Sequence, residues 1–108
     1  LVTLDGERYA RLLKSNDPIV SAIIENYKLW CRSQNNPNGA EHASSVLFDT
    51  VAIYLAFSQD LCKMEKLGIR VTDDGFTLID DKAKRMNVAT SWNTLDGYRD
   101  FLVDRLLS

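Results

Sequence analysis

The sequence predicts an α+β domain in which four helices accompany a small antiparallel β-meander. Apolar residues recur at helical spacing over residues 4–33, 46–66 and 95–106. From residue 69 to residue 89, short apolar runs instead alternate with turn-forming residues, as in hairpins. The 108 residues, 45% of them hydrophobic, suffice for one small core. We therefore expect a single domain without internal repeats.

The first two helices are predicted from their capping residues. Thr3 is a suitable N-cap for a helix over residues 4–14. Asn16 or Asp17 can cap the second helix, because Pro18 then occupies the first helical position, where its missing amide proton costs nothing. A loop rich in Asn, Pro and Gly follows and ends this helix.

The third helix is expected over residues 46–66, with Ser44 or Ser45 as its N-cap. Its first half is apolar on nearly every face. Such a composition predicts a helix that packs on several sides.

The meander and the last helix complete the chain. Strands are expected around residues 69–71 and 76–78, joined by an Asp-Asp-Gly turn, with a third strand near residues 86–89. Thr94 can then cap a terminal helix. Its buried face should consist of side chains spaced three or four residues apart: Leu95, Tyr98, Leu102 and Leu106.

Composition excludes several classes of function. Thirteen basic and fifteen acidic residues give a net charge of −2, and no basic run could follow a phosphate backbone, so we expect no nucleic-acid partner. The longest apolar stretch is too short to span a bilayer, so we expect no membrane partner. Cys31 and Cys62 lack the spacing of a metal site and are expected to be free core thiols.

Asp49 is the single charge in the apolar stretch SSVLFDTVAIYLAF, residues 44–57. A carboxylate in the first turn of a helix is stabilised by the positive end of the helix dipole. The other interpretation is a ligand of a divalent cation, which prefers carboxylate oxygens. On the residues alone, the helix-start role is favoured over the ligand role. His42 is the only histidine, and on its own it is expected to be a surface loop residue.

The order of motifs resembles the C-terminal third of the inosine-uridine nucleoside hydrolases. The motifs are SSVLFDTVAIYLAF, LGIRVTDDGFTLIDD, NVAT followed by a Trp, and a last amphipathic helix, which together span essentially the whole chain. The resemblance implies that residues 1–108 are the C-terminal part of one domain, completing an open α/β nucleoside-hydrolase-type fold whose N-terminal part is absent from this chain. It also implies calcium-dependent hydrolysis of ribonucleosides to base and ribose, a step of purine and pyrimidine salvage.

The same resemblance suggests roles for three residues. In the family a late helix begins with a His-Asp pair whose Asp binds the catalytic calcium, and the matching pair here is Phe48–Asp49. Asp49 would then be a calcium ligand and Phe48 a substrate-binding residue that cannot protonate the leaving base. His42, in a loop expected to overhang the base pocket, is the candidate for that proton. The family's N-terminal DxDxxxDD motif has no counterpart here, so the chain alone is expected to be inactive.

Three partners follow from the resemblance: a ribonucleoside substrate, the missing N-terminal segment and further copies in a homo-oligomer. The alternative function is a non-catalytic binding or interaction module that keeps the fold without the ion. In either case residues 46–57 are apolar on too many faces for the rest of the chain to cover. We therefore expect the chain alone to expose an apolar patch and to associate.

Overall fold

Four α-helices and one three-stranded antiparallel sheet form the structure, a computed structural model that describes all residues Leu1–Ser108. The predicted α+β class is confirmed. The chain divides into two compact units. The helical unit comprises Leu1–Ala56 and Leu95–Ser108, and the sheet unit comprises Phe57–Thr94. No helix is both long and apolar enough to cross a membrane.

The helical unit contains all four α-helices and one short 3-10 turn at Gly39–Glu41. The helices are α1 (Gly6–Leu13), α2 (Pro18–Ser33), α3 (Phe48–Leu55) and α4 (Leu95–Leu107). The start of α2 confirms the prediction, since Asp17 Oδ1 accepts hydrogen bonds from the amides of Ile19 and Val20 at 2.8 and 3.1 Å. These bonds satisfy two amide groups that no helical carbonyl can reach.

Helix α1 begins two residues later than predicted. Its N-cap is Asp5 rather than Thr3, because Leu4 is held outside the helix by Ser44. The Leu4 amide donates to Ser44 Oγ at 2.9 Å, and the Leu4 carbonyl accepts from the Ser44 amide at 2.8 Å. Leu4 is fully buried, so this extended segment belongs to the core.

The core of the helical unit is built around aromatic residues. Tyr9 is buried in α1 and its hydroxyl donates to the Ala40 carbonyl at 2.6 Å. The Tyr54 ring packs edge-on against Tyr98, with centroids 5.4 Å apart. The predicted inner face of α4 is confirmed at Tyr98 and Leu102, which are buried, whereas Leu95 and Leu106 are half-buried.

Helix α3 is much shorter than predicted, and the expectation of one helix over residues 46–66 is wrong. The helix ends at Leu55, and residues from Cys62 onwards form a strand. Cys62–Gly68 pairs with a later strand, which supplies backbone hydrogen bonds that a helix would otherwise provide. Long-range pairing thus overrides a local sequence that is compatible with a helix.

The sheet unit is a three-stranded antiparallel sheet in the order β2-β1-β3, so the prediction of a meander is wrong. The first strand is central because the third strand pairs with it and not with the second. The strands are β1 (Cys62–Val71), β2 (Thr77–Ile79) and β3 (Arg85–Trp92), which confirms the three predicted strands and lengthens the first and third. Gly75 has φ +91°, in the region that favours glycine, within the predicted turn between β1 and β2. Gly68 allows a close approach, since a Cβ there would lie 2.1 Å from the Asp80 carbonyl oxygen.

Candidate functional site at the start of helix α3

Asp49 lies in the first turn of α3 and is exposed. It is the only charged residue of the helix, and its carboxylate takes part in no hydrogen bond or ion pair. The N-cap position is Leu47, which provides no side-chain cap, so neither predicted serine caps this helix. The first turn therefore presents amide groups and one carboxylate to the same exposed end.

The position of this turn is fixed by hydrogen bonds within the helical unit. The Leu47 amide donates to the Val2 carbonyl at 2.8 Å, which ties the approach to α3 to the N-terminal segment. Thr50 Oγ1 is 2.6 Å from the Leu47 carbonyl and 2.8 Å from the Tyr98 hydroxyl. Asp49 is thus an exposed residue in a helical turn whose position is fixed by hydrogen bonds of its neighbours.

Much of α3 is apolar and uncovered by this chain. The side chains of Phe48 and Ile53 are 65% and 68% exposed, whereas Tyr54 is buried against α4. The expectation of a helix packed on several sides is therefore not met within these residues. The uncovered residues of α3, which we call the α3 face, are Phe48, Asp49, Ala52 and Ile53.

Of the three residues proposed from sequence, Phe48, Asp49 and His42, only the first two lie together. Phe48 and Asp49 are neighbours in one helical turn. His42 directly follows the 3-10 turn and is exposed, as expected for a loop histidine. No hydrogen bond or ion pair connects His42 to Phe48 or Asp49.

The residues present do not form a complete calcium site. No group of three or more His, Cys, Asp or Glu side chains is arranged to hold a metal ion. Calcium takes roughly six to eight oxygen ligands, of which Asp49 could supply one carboxylate. A calcium site at Asp49 therefore needs several further oxygen ligands besides this one carboxylate.

Sequence reasoning missed an apolar cleft of about 180 Å³ inside the helical unit. Helices α1, α2 and α4 and the approach to α3 all contribute to its walls. Its lining residues come from separate parts of the chain, and the apolar ones recur at the same spacing as ordinary core residues, so no local signal reveals the cleft. They include Tyr9, Leu12, Ile23, Tyr27, Leu47 and Leu102.

A row of exposed ion pairs between α1 and α4 was also not predicted. Arg8 contacts Asp100 at 2.6 Å and Asp96 at 3.2 Å, and Arg11 contacts Asp104 at 3.0 Å. The hydrogen bond from Arg8 lowers the pKa of the Asp100 carboxyl below its usual value. These groups are exposed and mutually paired, so they join two helices and do not form a catalytic centre.

Comparison of the chain with protein-family models, curated proteins and solved structures finds no match in any of the three. The case for a function therefore rests on the geometry of the chain itself and on the order of its sequence motifs.

Proposed function

We propose that this chain is the C-terminal part of a calcium-dependent nucleoside hydrolase, which cleaves the N-glycosidic bond of ribonucleosides to give free base and ribose. One observation carries the proposal: Asp49 is an exposed carboxylate without a partner, on a fixed first turn of a helix whose outer face is apolar. The motif order that resembles this family adds independent support.

A cation at Asp49 would be favoured if another segment or partner covered the α3 face. Large side chains such as Phe48 and Ile53 are exposed in this chain, and apolar surface of this kind is normally covered by another segment or partner. Covering the helix would remove water from the carboxylate as well, and a carboxylate that loses water needs a counter-charge. A divalent cation at the N-terminal end of α3 would meet this need.

The residues of this chain can be assigned specific tasks. Asp49 would supply one carboxylate ligand, and the chemistry that a bound calcium ion contributes is a lowered pKa of its water ligand and a fixed orientation of the ribose hydroxyls. Phe48 offers an exposed ring at the same turn, on which a nucleobase can stack. Because Phe48 cannot donate a proton, His42 is the candidate in this chain for protonating the leaving base.

The test compares Asp49→Asn with wild type in the complete product of the gene. Removing one ligand charge should weaken calcium binding in calorimetry and reduce ribose release together, because calcium affinity depends on the number of charged ligands. Excess calcium should partly restore ribose release, since the substitution lowers calcium affinity and leaves the other groups of the site unchanged.

The matched control is Asp81→Asn, which neutralises an exposed aspartate in the sheet unit that makes no ion pair. It should leave calcium affinity and turnover unchanged. Equal calcium affinity in wild type and Asp49→Asn would refute the ligand assignment. Absence of ribose release from every ribonucleoside tested, with calcium present, would refute the hydrolase proposal.

A binding or interaction module is the second candidate, and the uncovered α3 face favours it as well. The two candidates differ in turnover. A complete protein that binds nucleosides or a protein partner without releasing ribose would support the binding module.

A further inference from the structure

We propose that the apolar cleft of the helical unit is a binding site for a small uncharged aromatic molecule with a single ring, of the size of toluene. This proposal does not depend on nucleoside hydrolysis, since the cleft and Asp49 are separate features of the helical unit. It rests on the volume of the cleft, the chemistry of its walls and the position of its exposed edge.

The volume fits one ring. The cleft has about 180 Å³, and an engineered apolar cavity of roughly 150 Å³ stays dry and binds benzene or xenon. Filling such a space restores the dispersion contacts that the lining side chains lack. A molecule with one ring and a methyl group suits this volume better than a fused ring system.

The walls select an uncharged ligand. No charged side chain lines the cleft. Its polar groups are largely engaged with the protein: the Tyr9 hydroxyl with Ala40, Ser44 Oγ with the Leu4 amide and the Ser45 carbonyl, and Thr50 Oγ1 with Leu47.

Tyr27 also lines the cleft. Burial and a hydrogen bond with the Cys31 thiol raise the pKa of Tyr27 to about 12, so its phenol remains neutral. A carboxylate or an ammonium group entering the cleft would therefore lose its hydration without compensation.

Helix α2 provides the exposed edge of the cleft. Ile23 is the most exposed of the lining residues, at 46%, whereas Ile24 behind it is buried. A larger side chain at position 23 can therefore extend into the cleft from its solvent side. Ile19, one turn earlier on the same helix, is 71% exposed and does not line the cleft.

The experiment is an NMR titration of the protein with toluene, and with benzoate as the charged analogue of similar size. Toluene should cause saturable amide shifts centred on Leu12, Ile24 and Leu102, whereas benzoate should cause none. Ile23→Trp should weaken toluene binding by about tenfold or more, because the indole occupies the same space. Ile19→Trp is the matched control and should keep the wild-type affinity.

Several outcomes would overturn the proposal. One is the absence of saturable shifts in wild type, a measurement that does not depend on how the variants fold. Another is equal toluene affinity in both tryptophan variants when their amide spectra show intact folds. Shifts of Leu12, Ile24 and Leu102 that depend on protein concentration without toluene would identify a second copy of the chain as the occupant instead.

Discussion

Individual residues carry most of the evidence for how this chain folds locally. Asp17 and Gly75 lie where the sequence predicted a cap and a turn, because the chemistry of each position involves only its nearest neighbours. Asp49 is different. Its place in the first turn of a helix was predictable, but ion binding requires several ligands, and no group of three or more His, Cys, Asp or Glu side chains is arranged to hold a metal ion.

Gly75→Val should destabilise the protein by about 1 kcal/mol or more, because valine is strained at a φ of +91°. The strain is local to the backbone of the turn, since no atom beyond the two neighbouring residues lies within 4 Å of the position that a Cβ would take. Urea denaturation monitored by circular dichroism measures the change. Gly75→Asn is the matched control and should cost less, because Asn tolerates positive φ better than valine does. Equal stability of Gly75→Val and wild type would contradict the role assigned to this turn.

At the scale of elements, local sequence signals determine some bounds of the helices and strands, and long-range contacts determine others. The bounds of α2 and the presence of three strands follow from caps, turns and periodicity, all of which can be read locally. The end of α3 and the start of α1 could not be read in this way. Strand pairing by Cys62–Gly68 determines the first, and the hydrogen bonds between Leu4 and Ser44 determine the second. The two Leu4–Ser44 partners are 40 residues apart and the paired strand residues are at least 17 apart, as for Gly68 and Arg85, so a short periodicity window does not show these contacts.

The ion pairs between α1 and α4 make the free energy of unfolding depend on pH. The hydrogen bond from Arg8 lowers the pKa of Asp100 in the folded protein below its unfolded value. The resulting stabilisation is present above the unfolded pKa and is lost as the pH falls through the lower, folded pKa. Asp100→Asn should therefore reduce the loss of stability on acidification. Melting temperatures measured from neutral pH into the acidic range test this.

Asp81→Asn is the control for this series, since Asp81 makes no ion pair and lies in the sheet unit. It should keep the wild-type pH profile. Because Asp100 is exposed, salt should weaken the difference between Asp100→Asn and wild type. A wild-type pH profile for Asp100→Asn would show that the Arg8 contact contributes nothing to folding.

At the scale of the whole molecule, the chain covers only part of its own apolar surface. Helix α3 buries Tyr54 but leaves Phe48 and Ile53 exposed, and α2 exposes Ile19 and Trp30. A helix that is apolar on several faces is stable when each face is packed, and this chain leaves these side chains unpacked. The sequence predicted the exposure of residues 46–57 from composition alone, because the number of apolar residues in this region exceeds what the other elements can cover, whereas the exposure of α2 was not predicted.

The chain alone should therefore associate with further copies of itself through the α3 face. Sedimentation velocity over a range of protein concentrations should show a rising sedimentation coefficient, and a hydrophobic dye should bind. Ile53→Glu places a charge on this face and should shift the protein towards monomer. Ile79→Glu, which changes an equally exposed isoleucine at 69% exposure in the sheet unit, should keep the association. A monodisperse wild-type monomer that binds no dye would contradict this prediction and weaken the proposal that another part of a hydrolase domain covers α3.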